Sequence, residues 1–214
     1  NYFALQTLPD YSSTNAPGNT LTVIVNNITR ATLLLGDDCR PDQTSSIAKA
    51  ELDKYHDKMT VEIFQTMHCA IREIGKYLDW FKTNGIYDNT MFVLVSDHGW
   101  VSNNPLLQTD PDQRTHSMFQ NLLMVKLFGA NGDPVESREF ITNANVPGIL
   151  CETIGGCIDS HTGKMVRAER LEKPVLLHST PWNPDGQDID KFVIDQLYRV
   201  EKDILIPQNW SKLQ

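Results

Sequence analysis

The stretch Met91–Gly99 constrains the fold most, because an unbroken apolar run rich in branched residues ends abruptly in Asp97, His98 and Gly99. Such a run predicts a strand that is buried on both faces, as in a parallel sheet. Open α/β sheets place their functional groups at the carboxyl ends of strands. Asp97 and His98 there offer one oxygen and one nitrogen to a divalent metal ion, and Gly99 permits a sharp turn. The alternative is that Asp97 caps the next helix and His98 only packs.

Composition limits the class of protein. A chain of 214 residues can bury one sizeable core. The formal net charge of −8 disfavours nonspecific nucleic-acid binding, and no stripe of Lys and Arg opposes this, so no nucleic-acid partner is expected. The sequence has no apolar stretch of membrane-spanning length and no signal peptide. It opens at Asn1 without an initiator Met, which indicates a fragment whose membrane segment lies outside it.

The four cysteines contain no CxxC pair, which argues against a structural zinc cluster. Their even number permits two disulfides, and four buried free thiols fit the count equally well. Cys151 and Cys157 are close enough in sequence to meet across the end of a short helix. The compartment is not decided by these cysteines alone.

Periodicity predicts alternating helices and strands, in an order that implies an α/β sheet with crossover connections. A long helix over residues 47–82 has apolar positions at helical spacing, which are expected to face the sheet: Ile63, Phe64, Met67, Ile71, Ile74, Leu78 and Phe81. A short helix is expected over Val146–Ile154. The predicted strands are Thr20–Val25, Met91–Val95, Leu122–Leu127, Val175–His178 and Lys191–Val200, the last with a helix as the alternative.

Two further residues are candidates for binding an anion. Arg30 follows the predicted strand Thr20–Val25 through a polar segment, where it could hold an anionic oxygen or remain a solvated surface charge. His116 lies in the polar segment Val101–Ser117, which is expected to form a long loop over the strand ends. There it could complete a metal or phosphate site, or be an exposed surface histidine.

The turn Gly85–Thr90 followed by Phe92–Gly99 resembles the Asp-His-Gly segment of the alkaline phosphatase and sulfatase superfamily. Other stretches resemble its membrane-anchored, sulfatase-like branch, which includes lipoteichoic acid synthases and phosphoethanolamine transferases. These stretches are Gly18–Thr20, Asn121–Lys126, Thr142–Pro147, Thr162–Lys164 and Asn209–Trp210. The resemblance therefore extends over nearly the whole chain.

The resemblance implies an alkaline-phosphatase-like sandwich, with a mainly parallel central sheet flanked by helices, present as a partial domain. Residues 1–214 would be the C-terminal portion of one catalytic domain. Residues 1–155 would form the main sheet and helices, and residues 156–214 the C-terminal strands. The acidic metal ligand and the nucleophile that the family carries earlier in its domain have no counterpart in this sequence, and neither does its transmembrane bundle.

In the family, the positions of Asp97 and His98 are metal ligands. They would hold a divalent ion (Zn, Mn, Mg or Ca) that polarises a phosphoryl or sulfuryl oxygen and lowers the pKa of the nucleophile. Arg30 falls near a position where many relatives have a histidine that contacts the substrate anion, and an arginine can still pair with phosphate. His116 lies in a loop where some relatives place an additional histidine. Both are therefore assigned to substrate binding, and no catalytic nucleophile is assigned.

The resemblance implies a fragment of a metal-dependent hydrolase or phosphotransferase acting on phosphate or sulfate esters of envelope lipids or glycans. The full-length protein would be membrane-anchored with an extracytoplasmic catalytic domain, and the fragment, lacking its N-terminal half and the nucleophile, would be inactive. The alternative is a degenerate relative that binds an anionic lipid or glycan without chemistry, which Arg30 and the Trp100 after Gly99 favour. A cytosolic phosphomutase-like enzyme fits less well, because the matching stretches belong to the membrane-anchored branch.

Overall fold

The computed structural model of the protein describes residues 2–30, 35–36, 38–41, 58–100, 112–169, 174–179 and 196–213. The chain forms two compact units. The first contains Asn1–Leu94, Ser102–Pro105 and Met124–Asn131, and the second contains Val95–Val101, Leu106–Leu123 and Gly132–Gln214. Helices and strands are mixed, which confirms the general class that periodicity predicts.

Four α-helices and five strands occur in the described residues. The helices are α1 (Tyr2–Gln6), α2 (Lys58–Thr83), α3 (Gln113–Met118) and α4 (Val146–Thr153). The strands are β1 (Phe92–Val95), β2 (Leu123–Lys126), β3 (Val175–Ser179), β4 (Gln196–Val200) and β5 (Trp210–Lys212). Short 3-10 helices occupy Leu8–Tyr11, Asn143–Asn145 and Pro207–Asn209.

The core of the first unit lies between α1 and α2. Its buried residues are Tyr2, Leu5, Ile28, Leu35, Cys39, Cys69 and Ala70. The Tyr2 hydroxyl donates a hydrogen bond of 2.9 Å to Oε1 of the buried Glu73, which Lys76 also contacts at 2.9 Å. A disulfide between Cys39 and Cys69 fastens the preceding segment to α2. Helix α2 is therefore held by apolar burial, by a buried carboxylate and by a covalent link.

The long helix is confirmed over Lys58–Thr83, and its predicted start at residues 47–57 lies outside the described residues. Its predicted buried face is partly wrong. Phe64, Met67 and Ile71 are exposed, whereas a neighbouring face that includes Thr66, Cys69 and Glu73 is buried. The cause is the Cys39–Cys69 disulfide together with the Tyr2–Glu73 hydrogen bond, which turn that face toward the core.

β1 and β2 form a two-stranded sheet. The strands run in opposite directions, because the N–H of Ser96, after β1, donates to the C=O of Leu122, before β2, and Gly129 after β2 donates to Asp88 before β1. The prediction that β1 is buried on both faces is wrong, since its residues are half-buried or exposed. Within the described residues, β1 pairs with this one neighbour, and the Phe92 ring packs edge to face on Phe81 of α2 with centroids 4.8 Å apart. β1 is therefore only partly covered, unlike a central parallel strand.

A lysine fastens the turn that precedes β1. Lys126 Nζ donates to the C=O of Thr90 at 2.9 Å and to that of Tyr87 at 2.5 Å. The ammonium also lies 4.2 Å from the centroid of the Tyr87 ring. Burial lowers the pKa of Lys126. Two carbonyls and an aromatic face thus replace the water that the ammonium loses.

The second unit contains the antiparallel sheet β3-β4-β5. Tyr198, Val200 and Trp210 are its buried core, and partly buried hydrophobic residues pack against them: Phe119, Phe140, Leu177 and Ile204. The predicted strand Val175–His178 is confirmed, and so is the predicted strand Lys191–Val200 over Gln196–Val200; residues 191–195 lie outside the described part of the chain. The predicted strand Leu122–Leu127 and helix Val146–Ile154 are also confirmed, each slightly shortened.

Two predictions at element level are wrong, and one helix was not predicted. Thr20–Val25 forms no strand, and Leu21, Val23 and Val25 are exposed, because nothing in the described residues pairs with it. The chain start forms α1, whose Tyr2 and Leu5 lie three residues apart and face the core together. Part of the expected loop at Val101–Ser117 is helix α3; residues 101–111 lie outside the described residues.

The cysteines form two disulfides, Cys39–Cys69 and Cys151–Cys157, and no free thiol remains. The second one closes the turn after α4, as its spacing allows. Among the helices of the described residues, none combines the length and the apolar character needed to cross a membrane.

Candidate metal centre

Asp97 and His98 follow β1 directly, and their side chains converge. His98 Nε2 lies 3.6 Å from Asp97 Oδ2. The other carboxylate oxygen, Oδ1, accepts the backbone N–H of His98 at 3.0 Å. Both side chains face solvent, with 89% of the Asp97 side chain and 53% of the His98 side chain exposed. The pair therefore presents an oxygen and a nitrogen at one accessible point of the second unit.

The contacts of the imidazole fit a metal ligand. His98 Nδ1 lies 2.5 Å from the C=O of Gly99, and a carbonyl can only accept, so Nδ1 carries the proton in the neutral ring. The lone pair is then on Nε2, the atom that faces Asp97 Oδ2. Two ligands on one tetrahedral or octahedral ion lie roughly 3 Å apart, and the observed 3.6 Å is close to this. The two side chains thus fit one edge of a metal site.

Gly99 lies against the C-terminal end of α3 and the residues just after it, with no room for a side chain. A Cβ at this position would meet the C=O oxygen of Ser117 at 2.0 Å and that of Gln120 at 2.6 Å. The Gly99 N–H donates to the C=O of Met118 at 2.7 Å. The glycine after Asp97-His98 is required here for close approach of two backbone segments rather than for a positive φ.

Amide side chains hold the other side of the same loop. Asn143 Nδ2 donates to the C=O of Ser96 at 2.7 Å and to that of Asp97 at 3.4 Å. Asn121 Nδ2 donates in turn to Asn143 Oδ1. Ser96 Oγ accepts the N–H of Leu122 at 2.8 Å. The loop that carries Asp97 is therefore held by the Asn143 side chain and by the backbone of Leu122, from two separate parts of the second unit.

His116 is buried within α3, so the alternative of an exposed surface histidine is wrong. Its ring is stacked on Trp210, with centroids 3.8 Å apart and planes 15° apart, and it meets Tyr198 edge to face at 5.1 Å. These contacts place the imidazole in the aromatic core beside β4 and β5. Its assignment to substrate binding stays a prediction.

Arg30 lies in the first unit, at the end of a tight turn in which its N–H donates to the C=O of Asn27. The Ile28 N–H is bonded to Asn26 Oδ1 at 2.9 Å, so the segment is a turn and not a strand end. The Arg30 side chain is exposed. Asp97, His98 and His116 belong to the second unit. The structure brings Asp97 and His98 together, and the binding role of Arg30 stays a prediction.

Sequence reasoning did not identify Asn121 and Asn143 as parts of this centre. Both lie within stretches that resemble the sulfatase-like branch, which is the one signal that could have marked them. Their contacts join residues that are 22 and 47 positions apart in sequence, and spacing alone does not reveal such pairs.

Within the part of the chain that the structure describes, no group of three or more His, Cys, Asp or Glu side chains is arranged to hold a metal ion. A metal ion held by Asp97 and His98 would therefore need further ligands, such as water, substrate or other protein groups. Comparisons of the chain with protein-family models, with curated proteins and with solved structures find no match.

Proposed function

We propose that this chain is the C-terminal portion of the catalytic domain of a metal-dependent hydrolase or phosphotransferase of the alkaline phosphatase and sulfatase superfamily. The convergence of Asp97 Oδ2 and His98 Nε2 at the end of β1 carries the proposal. It agrees with the resemblance of Gly85–Gly99 to the Asp-His-Gly segment of that superfamily. The alkaline-phosphatase-like sandwich with its mainly parallel sheet belongs to the same proposal.

In this proposal Asp97 and His98 hold a divalent cation, which supplies Lewis-acid stabilisation of a phosphoryl or sulfuryl oxygen. Asp97 contributes the charge that offsets the cation. The proton stays on His98 Nδ1, which donates it in a hydrogen bond to the Gly99 C=O, and Nε2 is left as the ligand atom. The anionic substrate is proposed to be an ester of an envelope lipid or glycan, and the roles of Arg30 and of His116 in binding it are separate predictions from the family resemblance. The nucleophile is supplied by sequence other than these 214 residues.

The two disulfides support an extracytoplasmic location. Disulfides form and persist in oxidising compartments and are rare in the cytosol. Cys39–Cys69 and Cys151–Cys157 occupy one unit each. An envelope-facing catalytic domain of a membrane-anchored protein is consistent with this chemistry, and the anchor itself is inferred from the family resemblance alone.

Metal titration tests the proposal. Mn²⁺ is titrated calorimetrically into the purified chain and into an Asp97→Ala, His98→Ala variant, with an Asp133→Ala, His161→Ala variant as the control, since those two side chains are also exposed. Wild type and control are expected to bind one ion with equal affinity. The Asp97, His98 variant is expected to bind at least about tenfold more weakly. Equal binding by all three chains would exclude Asp97 and His98 as the ligands.

Turnover separates the fragment from a complete enzyme. The chain with saturating Mn²⁺ or Zn²⁺ is assayed on aryl phosphate monoesters, phosphodiesters and aryl sulfates. Because the proposal assigns the nucleophile to another segment, no turnover above that of the Asp97→Ala, His98→Ala variant is expected. Robust turnover that this variant abolishes would show that the nucleophile lies within these residues.

A second candidate function is binding of an anionic lipid or glycan without chemistry. It is favoured by Arg30 and by the Trp100 after Gly99, which depart from the pattern of the family that the sequence resembles. This candidate predicts no Mn²⁺ binding in the titration above, together with retention of the chain on vesicles that contain anionic lipid.

A further inference from the structure

The loop that carries Asp97 is held at its backbone by an amide relay. We define the relay as Asn121 and Asn143, in which Asn121 Nδ2 donates to Asn143 Oδ1 and Asn143 Nδ2 donates to the carbonyls of Ser96 and Asp97. Both asparagines are half-buried and belong to the second unit, as does the loop. All the contacts of the relay therefore lie within one compact unit.

The direction of the relay is fixed by chemistry. The carbonyls of Ser96 and Asp97 can only accept hydrogen bonds, so the amide nitrogen of Asn143 must face them. Its oxygen then points to Asn121, which must present its own nitrogen. An aliphatic residue at position 143 can neither donate to the loop nor accept from Asn121. An aspartate there would set a carboxylate against two carbonyl oxygens.

Asn143 is itself held in place by the segment that contains it. It opens the 3-10 helix Asn143–Asn145, in which the Thr142 N–H donates to Asn145 Oδ1 at 2.8 Å. Asn145 is buried, and its Nδ2 donates to the C=O of Glu169. Asn143 thus reaches the loop from a rigid support, which is what a second layer around a metal ligand requires.

The relay acts at the point that sets the direction of the Asp97 side chain. The carbonyl groups that Asn143 holds lie immediately before and after the Asp97 Cα, so their orientation fixes the backbone dihedral angles of that residue. The opposite side of the loop is fixed by the Ser96 N–H on Leu122 and the Gly99 N–H on Met118. Without the Asn143 contact, the loop would keep the hydrogen bonds to Leu122 and Met118 but lose those that hold the carbonyls on either side of the Asp97 Cα.

We propose that Asn143, supported by Asn121, is a positioning residue that holds the Asp97 backbone so that the carboxylate and His98 Nε2 meet at one point. The inference rests on the proposed metal-binding function of that pair. It assigns no contact between the relay and the ion, and its effect reaches the ligands through the backbone of residues 96 and 97.

Two measurements on the whole chain test the relay. The variants are Asn143→Ala and Asn143→Leu. The leucine keeps much of the side-chain volume but cannot donate a hydrogen bond. The control is Asn131→Ala, which removes an exposed amide bonded to the C=O of Gly129. Amide hydrogen exchange at Ser96 and Gly99 is expected to become about five- to tenfold faster in both Asn143 variants. Mn²⁺ affinity is expected to fall about tenfold in both, and neither quantity changes in the control.

A double-mutant cycle tests whether Asn121 acts through Asn143. Asn121→Ala is expected to weaken Mn²⁺ binding less than Asn143→Ala does, and the double variant is expected to match Asn143→Ala alone. Additive losses would show that Asn121 acts by another route and would overturn the relay. Unchanged exchange at Ser96 and Gly99 in Asn143→Ala would overturn the positioning role, and so would faster exchange with wild-type Mn²⁺ affinity.

The two measurements separate this inference from the proposed function. A wild-type chain that binds no Mn²⁺ contradicts the metal site and, with it, positioning of a metal ligand, whatever the exchange rates are. A wild-type chain whose binding depends on Asp97 and His98 but not on Asn143 supports the metal site and overturns the relay alone.

Discussion

At the scale of single residues, Gly99 is the position of the candidate centre that has least room for a side chain. Gly99→Ala places a Cβ 2.0 Å from the Ser117 carbonyl oxygen, and backbone atoms must move to accept it. The free energy of unfolding is expected to fall by about 1–3 kcal/mol, as in other overpacked sites. Urea denaturation followed by tryptophan fluorescence measures this change.

Gly75→Ala is the matched control for that substitution. Gly75 lies inside α2 with nothing within 4 Å of its added Cβ. Alanine is there expected to stabilise the chain by up to about 1 kcal/mol, because glycine is the poorer helix former. If both glycine variants were stabilised, the close approach at Gly99 would not be a constraint.

Glu73 is expected to give the first unit a pH-dependent stability. Burial alone would raise the pKa of Glu73, but hydrogen bonds from Lys76 and Tyr2 outweigh it, and the pKa is lowered from its ordinary 4.5. The folded state thus holds the proton less tightly than the unfolded state. The resulting stability is present above pH 4.5 and is lost as the pH falls through the lowered pKa.

Glu73→Gln tests this dependence, with Asp79→Asn as the control. Each acid pairs with a lysine three residues later on α2, but the Glu73 side chain is 3% exposed and that of Asp79 is 70% exposed. At pH 7 the first variant is expected to lose about 1–3 kcal/mol and the second less than about 1 kcal/mol. The loss of unfolding free energy caused by Glu73→Gln should be smaller at pH 3 than at pH 7. A loss that is the same at both pH values would show that the substitution acts through packing and not through the charge of Glu73.

The candidate centre was predictable at residue scale only where its parts are adjacent in sequence. Asp97, His98 and Gly99 form one run at a strand end, and the convergence of the first two follows from that position. The burial of His116 against Trp210 joins residues far apart in sequence, and no local pattern reveals it. The same holds for Asn143 on Ser96.

At the scale of elements, the disulfides are expected to contribute unequally. Cys39–Cys69 spans 30 residues and Cys151–Cys157 spans 6. In the chain-entropy account, closing these loops stabilises the folded state by about 3.5 and about 2 kcal/mol respectively. Urea midpoints of the two paired Cys→Ala variants, measured without reductant, compare the contributions.

Hydrogen exchange locates each effect. Loss of Cys39–Cys69 is expected to speed exchange in α2, which it anchors, and loss of Cys151–Cys157 should affect the end of α4. A larger loss of stability on removal of Cys151–Cys157 than on removal of Cys39–Cys69 would contradict the chain-entropy account.

Element type was predictable where periodicity was strong and where a local partner exists. The long helix and the strands β1 and β2 follow from their apolar patterns. Thr20–Val25 has the same strand-like composition, yet a strand exists only with a neighbour to pair with, which composition does not supply. Helix α1 was missed because five residues give too short a pattern, and its stability comes from packing on α2.

At the scale of the whole molecule, the general class was predictable and the arrangement of its sheets was not. Composition and periodicity indicate mixed helices and strands, and these are present. Sheet direction depends on which strands meet, and the described residues contain the antiparallel sheets β1-β2 and β3-β4-β5. The alternation of helices with strands predicted parallel strands, whereas the strands of the described residues pair antiparallel.

The exposed segment Leu21–Val25 is expected to govern the solubility of the chain. Leu21, Val23 and Val25 are 76–84% exposed, and residues 11–29 contain no charged side chain. An extended, apolar and uncharged stretch is open to pairing with other chains, and the net charge of −8 lies elsewhere in the sequence. Association and binding of a hydrophobic dye are expected to increase with protein concentration.

Charged substitution tests this expectation. A Val23→Lys, Val25→Lys variant should bind roughly half as much dye or less and stay monomeric to a severalfold higher concentration in sedimentation velocity, because charges on an unpaired strand oppose edge pairing. Val135→Lys is the control, since Val135 is 90% exposed but lies in a different segment. If that single change improved solubility as much as the double one, added charge would be the cause and not the Leu21–Val25 segment. Equal association by wild type and all variants would show that another surface causes the association. The exposed residues Phe64, Met67 and Ile71 of α2 would then be the next to replace by lysine.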